Sequence, residues 1–209
     1  MLKRTIMEFL IKTSNQNIIS IVSSFEKDFK KKIEKNYSVV AQKTIEIHDE
    51  NTFQNTISID MNSPMQCMAQ CKCPILSNDC IIILSGNKSK YSERQQLALL
   101  AHEIGHLILT EKGEDCGGVK EEIAADSCAV KLNLGCEMVE SLEIMKKNCG
   151  QNLDPALNFF SEYKSSIQKT NTEFEERIAA IQKRSLDKVI CFSKRVFKAF
   201  YSLLKKQHP

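Results

Sequence analysis

Two histidines and a glutamate stand in the order H-E-x-x-H near the middle of the chain, within LLAHEIGHLIL (residues 99–109). On a helix, His102 and His106 lie one turn apart on the same face, so their imidazoles can bind one tetrahedral cation. Glu103 projects beside them, where its carboxylate can act on a water molecule without binding the metal itself. Because so short a motif also arises by chance, the hypothesis requires a third ligand.

The sequence Glu122-Ile-Ala-Ala-Asp126 supplies that ligand, 16 residues after His106. A glycine-containing loop allows the helix that carries Glu122 to pack beside the first helix. Two histidines and one glutamate leave the fourth position of a tetrahedral zinc ion for water, as a catalytic site requires. Asp126 lies one turn further and can fix the tautomer of a ligating histidine. Glu121 is expected to be a solvated helix residue, since the Glu-x-x-x-Asp spacing favours Glu122 as the ligand.

These residues carry a resemblance to the gluzincin metallopeptidases. The stretch IIILSGNKSKYSERQQLALLAHEIGHLIL is similar to the soluble ImmA/IrrE-type peptidases, whereas EIAADSCAV and TNTEFEERIAAIQ resemble the HtpX and CAAX-protease group. The resemblance spans residues 80–182 and leaves both ends of the chain unassigned. The matching motif residues are His102, Glu103, His106, Glu122 and Asp126.

The resemblance implies a zinc-dependent metallopeptidase that hydrolyses peptide bonds of a protein or peptide substrate. One Zn²⁺ would be bound by His102, His106 and Glu122, and would lower the pKa of water toward about 7 for proton removal by Glu103. An extended substrate would add a strand to a sheet edge. The resemblance leaves open which residue stabilises the oxyanion or contacts the substrate. The candidates are Tyr91, Tyr163 and Arg177.

The predicted elements are ordered as a helix, a small sheet and then further helices, which is an α+β fold. The resemblance implies that the sheet, the active-site helix and the glutamate helix are arranged in a zincin-like manner. Apolar residues at helical spacing predict a helix over residues 15–36. Runs rich in β-branched residues predict strands over residues 39–48, 56–60 and 80–84.

Capping signals mark where several helices begin. Ser92 and Gln95 form a capping box before the active-site helix, which is expected to end among the glycines of residues 111–118. Thr172 and Glu175 form a second capping box, which predicts a long C-terminal helix with a break near residue 185. The other helices are expected over residues 120–132, capped by residues 133–135, over residues 136–147 and from residue 154.

Two regions are expected: a catalytic domain over residues 1–150 and a helical extension over residues 151–209. The extension ends in a basic amphipathic tail, residues 186–209. Packing of this tail on the catalytic domain is the simplest interpretation. Contact with an anionic membrane surface or an acidic partner is the alternative, because basic amphipathic helices suit both.

The composition argues against several other classes of protein. A net charge of +3 is too small to indicate a nucleic-acid-binding protein. No apolar run approaches the roughly 20 residues of a transmembrane span, and no signal peptide is recognised, so a cytoplasmic location is expected. The nine cysteines are then expected to be reduced thiols. A second metal site or a cysteine-rich strand or loop are both open for Cys67, Cys71, Cys73 and Cys80.

Two functions from other classes compete with hydrolysis. The chain can be a non-catalytic regulatory or interaction protein that keeps a zincin-like core, or a membrane-surface protein that acts through its basic C-terminal helix. A Glu103→Gln variant separates the first from a peptidase, because only a peptidase needs this carboxylate. Deletion of residues 186–209 tests the second through liposome binding.

Overall fold

The computed structural model describes a mainly helical α+β chain with one small sheet. This confirms the α+β class predicted from the sequence. Of the helices that it describes, none is long and apolar enough to cross a membrane. The described residues are 7–41, 43–49, 69–72, 79–84, 91–114, 117–148 and 168–186.

The sheet has four strands in the spatial order β1-β2-β4-β3. β1 and β4 each pair with β2 in parallel, and β3 pairs with β4 in antiparallel orientation. Ile45 and Ile47 on one face of β2 are fully buried, as is Ile82 on β4, because alternate residues of a strand share a face. The strands are β1 (Glu8–Ile11), β2 (Thr44–Asp49), β3 (Ala69–Lys72) and β4 (Asp79–Leu84).

The strand predictions were only partly right. β4 confirms the strand predicted over residues 80–84, but the strand predicted from residue 39 begins at Thr44. Turn bonds occupy the intervening backbone, since the Val40 and Ala41 N–H groups donate to carbonyls three residues earlier. β1 and β3 were not predicted, because each has only four residues. The strand predicted over residues 56–60 lies outside the described residues.

The amphipathic helix predicted over residues 15–36 is two helices, α1 (Gln16–Asp28) and α2 (Lys30–Asn36). The break lies at Phe29, whose φ of −124° departs from helical geometry. The apolar spacing continues through the break, so periodicity alone does not reveal it. Asn15 caps α1 by accepting hydrogen bonds from the N–H groups of Asn17 and Ile18.

The central helix, α3 (Glu93–Lys112), begins and ends at the expected signals. Ser92 and Gln95 form the predicted capping box, and Gly113 ends the helix in a left-handed conformation with φ +66°. Residues are buried around most of its circumference, as expected for a helix that crosses a core. The helix contacts α1 and strands β3 and β4.

Three further helices are described: α4 (Gly118–Lys131), α5 (Gly135–Asn148) and α6 over residues 168–186. α4 and α5 match the helices predicted over residues 120–132 and 136–147. The predicted cap between them needs one correction. Asn133 adopts the left-handed conformation, with φ +65°, while Gly135 begins α5.

α3 and α4 approach each other closely at Gly105. A Cβ atom at this position would lie 2.4 Å from the carbonyl oxygen of Ala125 on α4. Glycine removes that clash and lets the two backbones come together. The crossing lies between His102 and His106 on one helix and between Glu122 and Asp126 on the other. It therefore sets the distance between the predicted metal ligands.

The second predicted capping box was wrong. Residues 168–186 are helical, so Thr172 lies inside α6, where its hydroxyl donates to the Gln168 carbonyl at 3.0 Å. Phe174 and Ile181 anchor α6 in the core. Residue 185, the predicted break, is helical. The helix predicted from residue 154 and the tail beyond residue 186 lie outside the described residues.

Candidate metal centre

The structure brings His102, His106 and Glu122 together between α3 and α4. Their ligand atoms lie within 4.8 Å of one another, the single such group of His, Cys, Asp or Glu within the described residues. The two Nε2 atoms are 3.1 Å apart, and each lies 3.4 Å from a different oxygen of Glu122.

These separations fit a tetrahedral cation. Nitrogen and oxygen ligands about 2.0–2.1 Å from a tetrahedral zinc ion lie about 3.4 Å from one another. Two imidazoles and one carboxylate are also a donor set that zinc accepts in catalytic sites. The Glu122 side chain is 36% exposed, so solvent reaches this side of the group. The residues therefore fit a zinc ion with a fourth position accessible to water.

The His102 imidazole is held from behind by Asp126. The buried carboxylate of Asp126 lies 2.8 Å from Nδ1 of His102. An ionised carboxylate can only accept, so Nδ1 donates and Nε2 faces the other ligands. Asp126 thus occupies the position expected for it.

Arg177 on α6 completes this side of the centre. Its Nε and one terminal nitrogen each donate to Asp126 at 2.9 Å, and the other terminal nitrogen lies 2.8 Å from Glu122. All three guanidinium nitrogens therefore face carboxylates. Arg177 thus joins the carboxylates of Asp126 and Glu122. A second arginine of α6, Arg184, donates to the Ile123 carbonyl at 2.6 Å.

His106 has its own carboxylate partner, Glu121. Nδ1 of His106 lies 3.1 Å from one oxygen of Glu121, and the other oxygen accepts the Gly117 N–H at 2.8 Å. The expectation of a merely solvated Glu121 was therefore wrong. Glu121 and Glu122 are adjacent on α4 but contact different nitrogens of the same imidazole, because Glu122 faces Nε2.

Glu103 is buried beside the ligands without joining them. Its Oε1 lies 4.0 Å from Nε2 of His102, farther than the 3.4 Å that separates each Nε2 from Glu122. The gap between this carboxylate and the position where the cation would lie is therefore about the width of one water molecule. The carboxylate can therefore accept a proton from water there, as expected of a general base.

The charges of this group shift several pKa values. Burial alone would lower the pKa of His102, but hydrogen bonds with Asp126 and Glu122 outweigh it and raise the pKa to about 10. Burial disfavours an ionised Glu122, yet the histidines and Arg177 hold its pKa well below the usual range. The pKa of Asp126 is likewise lowered despite burial. Both carboxylates are therefore ionised, and a bound cation would replace protons on the imidazoles.

Of the other predicted site residues, the structure describes Tyr91 and two of the four clustered cysteines. Tyr91 lies in the hydrophobic core, two residues before the start of α3. The helix rises roughly 13 Å from its first residue to His102. Tyr163 lies outside the described residues. Of the four clustered cysteines, Cys71 is on β3 and Cys80 on β4, while Cys67 and Cys73 lie outside the described residues. A second metal site there stays a prediction.

Sequence reasoning missed Glu121 and left the role of Arg177 open. Glu121 had a usable signal, because it lies 15 residues after His106 and one helical position before the predicted ligand. Arg177 had none from local pattern, because its contact with Asp126 joins positions 51 residues apart.

Comparisons of this chain with protein-family models, curated proteins and solved structures found no match.

Proposed function

We propose that this protein is a zinc-dependent metallopeptidase of the gluzincin type, with a zincin-like arrangement of its sheet, α3 and α4. One observation carries the proposal: a His102, His106 and Glu122 group spaced for a tetrahedral cation, with the Glu103 carboxylate beside it. A structural zinc site would use four protein ligands, whereas this group offers three and one side open to water. The charged residues behind the ligands support a precisely held centre.

The chain's own residues divide the work of hydrolysis. When bound, zinc would supply Lewis acidity toward water and a peptide carbonyl. His102, His106 and Glu122 would hold it, and Glu103 would take a proton from the attacking water. The same carboxyl group would then give that proton to the departing amine. Asp126 and Arg177 would keep the ligands in place throughout.

Strand β3 supports an extended peptide or protein as the substrate. Among the described strands it lies at one edge of the sheet, and it contacts α3, which carries Glu103 and both histidines. An edge strand has backbone groups available on one side, to which an extended peptide can add as a further strand. Such a peptide would run alongside the helix that carries the reacting groups.

Hydrolysis of unstructured protein or peptide libraries by the zinc-loaded protein tests the proposal, with products identified by mass spectrometry. Wild type is expected to generate new termini, and a chelator is expected to stop cleavage. Glu103→Gln should retain zinc while losing at least about 100-fold in rate, since general-base catalysis contributes that much. Glu143→Gln, an exposed residue with the same charge change, should cleave like wild type.

A Glu103→Gln protein that cleaves as well as wild type would contradict the proposal. A wild type that binds no zinc would also contradict it. If a cellular effect of the protein survives Glu103→Gln in folded, zinc-loaded form, the function is that of a non-catalytic regulatory or interaction protein instead.

A further inference from the structure

The two histidines of the metal centre are held by different carboxylates from the same helix. Asp126 lies behind His102 and is completely buried, with Arg177 on its other side. Glu121 lies behind His106, and its side chain is 22% exposed. Asp126 is thus held in the core by its contact with α6, whereas Glu121 lies near the start of α4.

Glu121 is itself fixed by the start of α4. One of its oxygens accepts the N–H of Gly117, the residue that precedes the helix, and the other faces Nδ1 of His106. The partial positive charge at a helix N-terminus also favours a carboxylate at this position. The side chain thus has one orientation enforced by its own helix before any metal binds.

We propose that Glu121 is a positioning residue for zinc: it accepts the Nδ1 proton of His106 and thereby directs Nε2 of that imidazole toward the ion. The inference rests on the proposed function. The carboxylate makes the imidazole a better donor and removes the rotational freedom that His106 would otherwise lose on binding. Because the same carboxylate accepts the Gly117 N–H, it also joins the start of α4 to the metal centre.

Zinc affinity measured by competition with a chromogenic chelator tests this role, using Zn²⁺ alone and no substrate. Glu121→Ala is expected to raise the Kd roughly 10- to 100-fold, the range found when such outer partners are removed. Glu121→Gln should lose less, because its amide oxygen still accepts from Nδ1. Glu143→Gln on α5 is the control for loss of one negative charge and should match wild type.

The tautomer of His106 gives a second readout that a merely structural role would not change. Long-range ¹H–¹⁵N NMR of the zinc-loaded wild type should show Nδ1 protonated and Nε2 bound to the metal. Unchanged zinc affinity in Glu121→Ala, or a metal-bound Nδ1 in wild type, would overturn this inference and leave the proposed function standing. A wild type that binds no zinc would overturn both.

Discussion

Arg177 and Asp126 form a buried, two-pronged ion pair between α6 and α4. Two guanidinium nitrogens each donate to a different carboxylate oxygen at 2.9 Å, and Asp126 has no exposed side-chain surface. The pair lies directly behind His102, to which Asp126 is also hydrogen-bonded. α6 therefore contributes to the candidate metal centre without providing one of its three ligands, and the positions of α6 and of the ligands are linked.

Replacement of Arg177 by Met should destabilise the fold strongly. The variant removes both guanidinium hydrogen bonds from the buried Asp126 carboxylate, and breaking a buried ion pair in this way typically costs about 3–5 kcal/mol. Arg177→Lys should lose less, because it keeps the charge but cannot donate in the planar, two-pronged manner. Chemical denaturation of the metal-free proteins measures the free energies of unfolding.

Lys146→Ala provides the matched control for that experiment. Lys146 pairs with Glu175 between α5 and α6, but the two side chains are 36% and 64% exposed, so solvent reaches the pair. An exposed pair contributes about 0–1 kcal/mol, so this variant should unfold close to wild type. Equal losses of unfolding free energy in the Arg177→Met and Lys146→Ala variants would contradict the prediction that the buried Arg177–Asp126 pair stabilises the fold.

Zinc binding should depend on His106 specifically, and removal of a histidine elsewhere in the chain should not affect it. His106→Ala removes one of three ligands and should bring zinc from about one ion per chain to near zero after dialysis against weak chelator. His48→Ala is the control, because His48 lies on β2 and its Nε2 is 3.0 Å from Glu46. Elemental analysis of folded proteins prepared in excess zinc checks both. Zinc that persists at wild-type level in His106→Ala would refute the ligand assignment.

Local sequence patterns anticipated the parts of the centre that depend on helical spacing. The capping box at Ser92, the i, i+4 spacing of His102 and His106, and the Glu-x-x-x-Asp pair each depend on one stretch of chain. The break at Phe29 could not be foreseen, because apolar spacing continues through it. The contact between Asp126 and Arg177 could not be foreseen either, because a contact between helices far apart in the chain produces no periodic pattern in either sequence.

Gly105→Ala should weaken both the fold and the metal site. The added methyl group would meet the Ala125 carbonyl oxygen at 2.4 Å, so α3 and α4 must separate. Overpacking of this kind costs about 1–3 kcal/mol, and the separation should move Glu122 away from the histidines and lower zinc affinity. Thermal unfolding and chelator competition measure the two effects.

Gly113→Ala separates these two effects. Gly113 has open space around a Cβ atom but a φ of +66°, so alanine there is strained without pushing the helices apart. It should cost about 1 kcal/mol of stability and leave zinc affinity unchanged. If Gly105→Ala also left zinc affinity unchanged, the close crossing of α3 and α4 would not be what sets the ligand distances.

Cys128 and Cys136, the two cysteines whose side chains the structure describes, should differ sharply in reactivity. Cys128 is buried in α4, and burial raises the pKa of its thiol to about 12, whereas Cys136 is exposed. Because the thiolate is the reactive form, brief alkylation at pH 8 should modify Cys136 and spare Cys128. Peptide mapping by mass spectrometry checks this, and denatured protein, in which both must react, is the control.

The raised pKa of Cys128 also has a consequence for stability at high pH. The folded chain keeps the thiol proton up to about pH 12, while the unfolded chain releases it above its ordinary value of 9.0. The unfolded state is therefore favoured progressively as pH rises above 9.0, and this contribution to stability is fully present only below that pH. Cys128→Ala should show a shallower loss of unfolding free energy between pH 9 and 11 than wild type. Equal slopes, or rapid alkylation of native Cys128 at pH 8, would show that α4 does not shield this thiol from solvent.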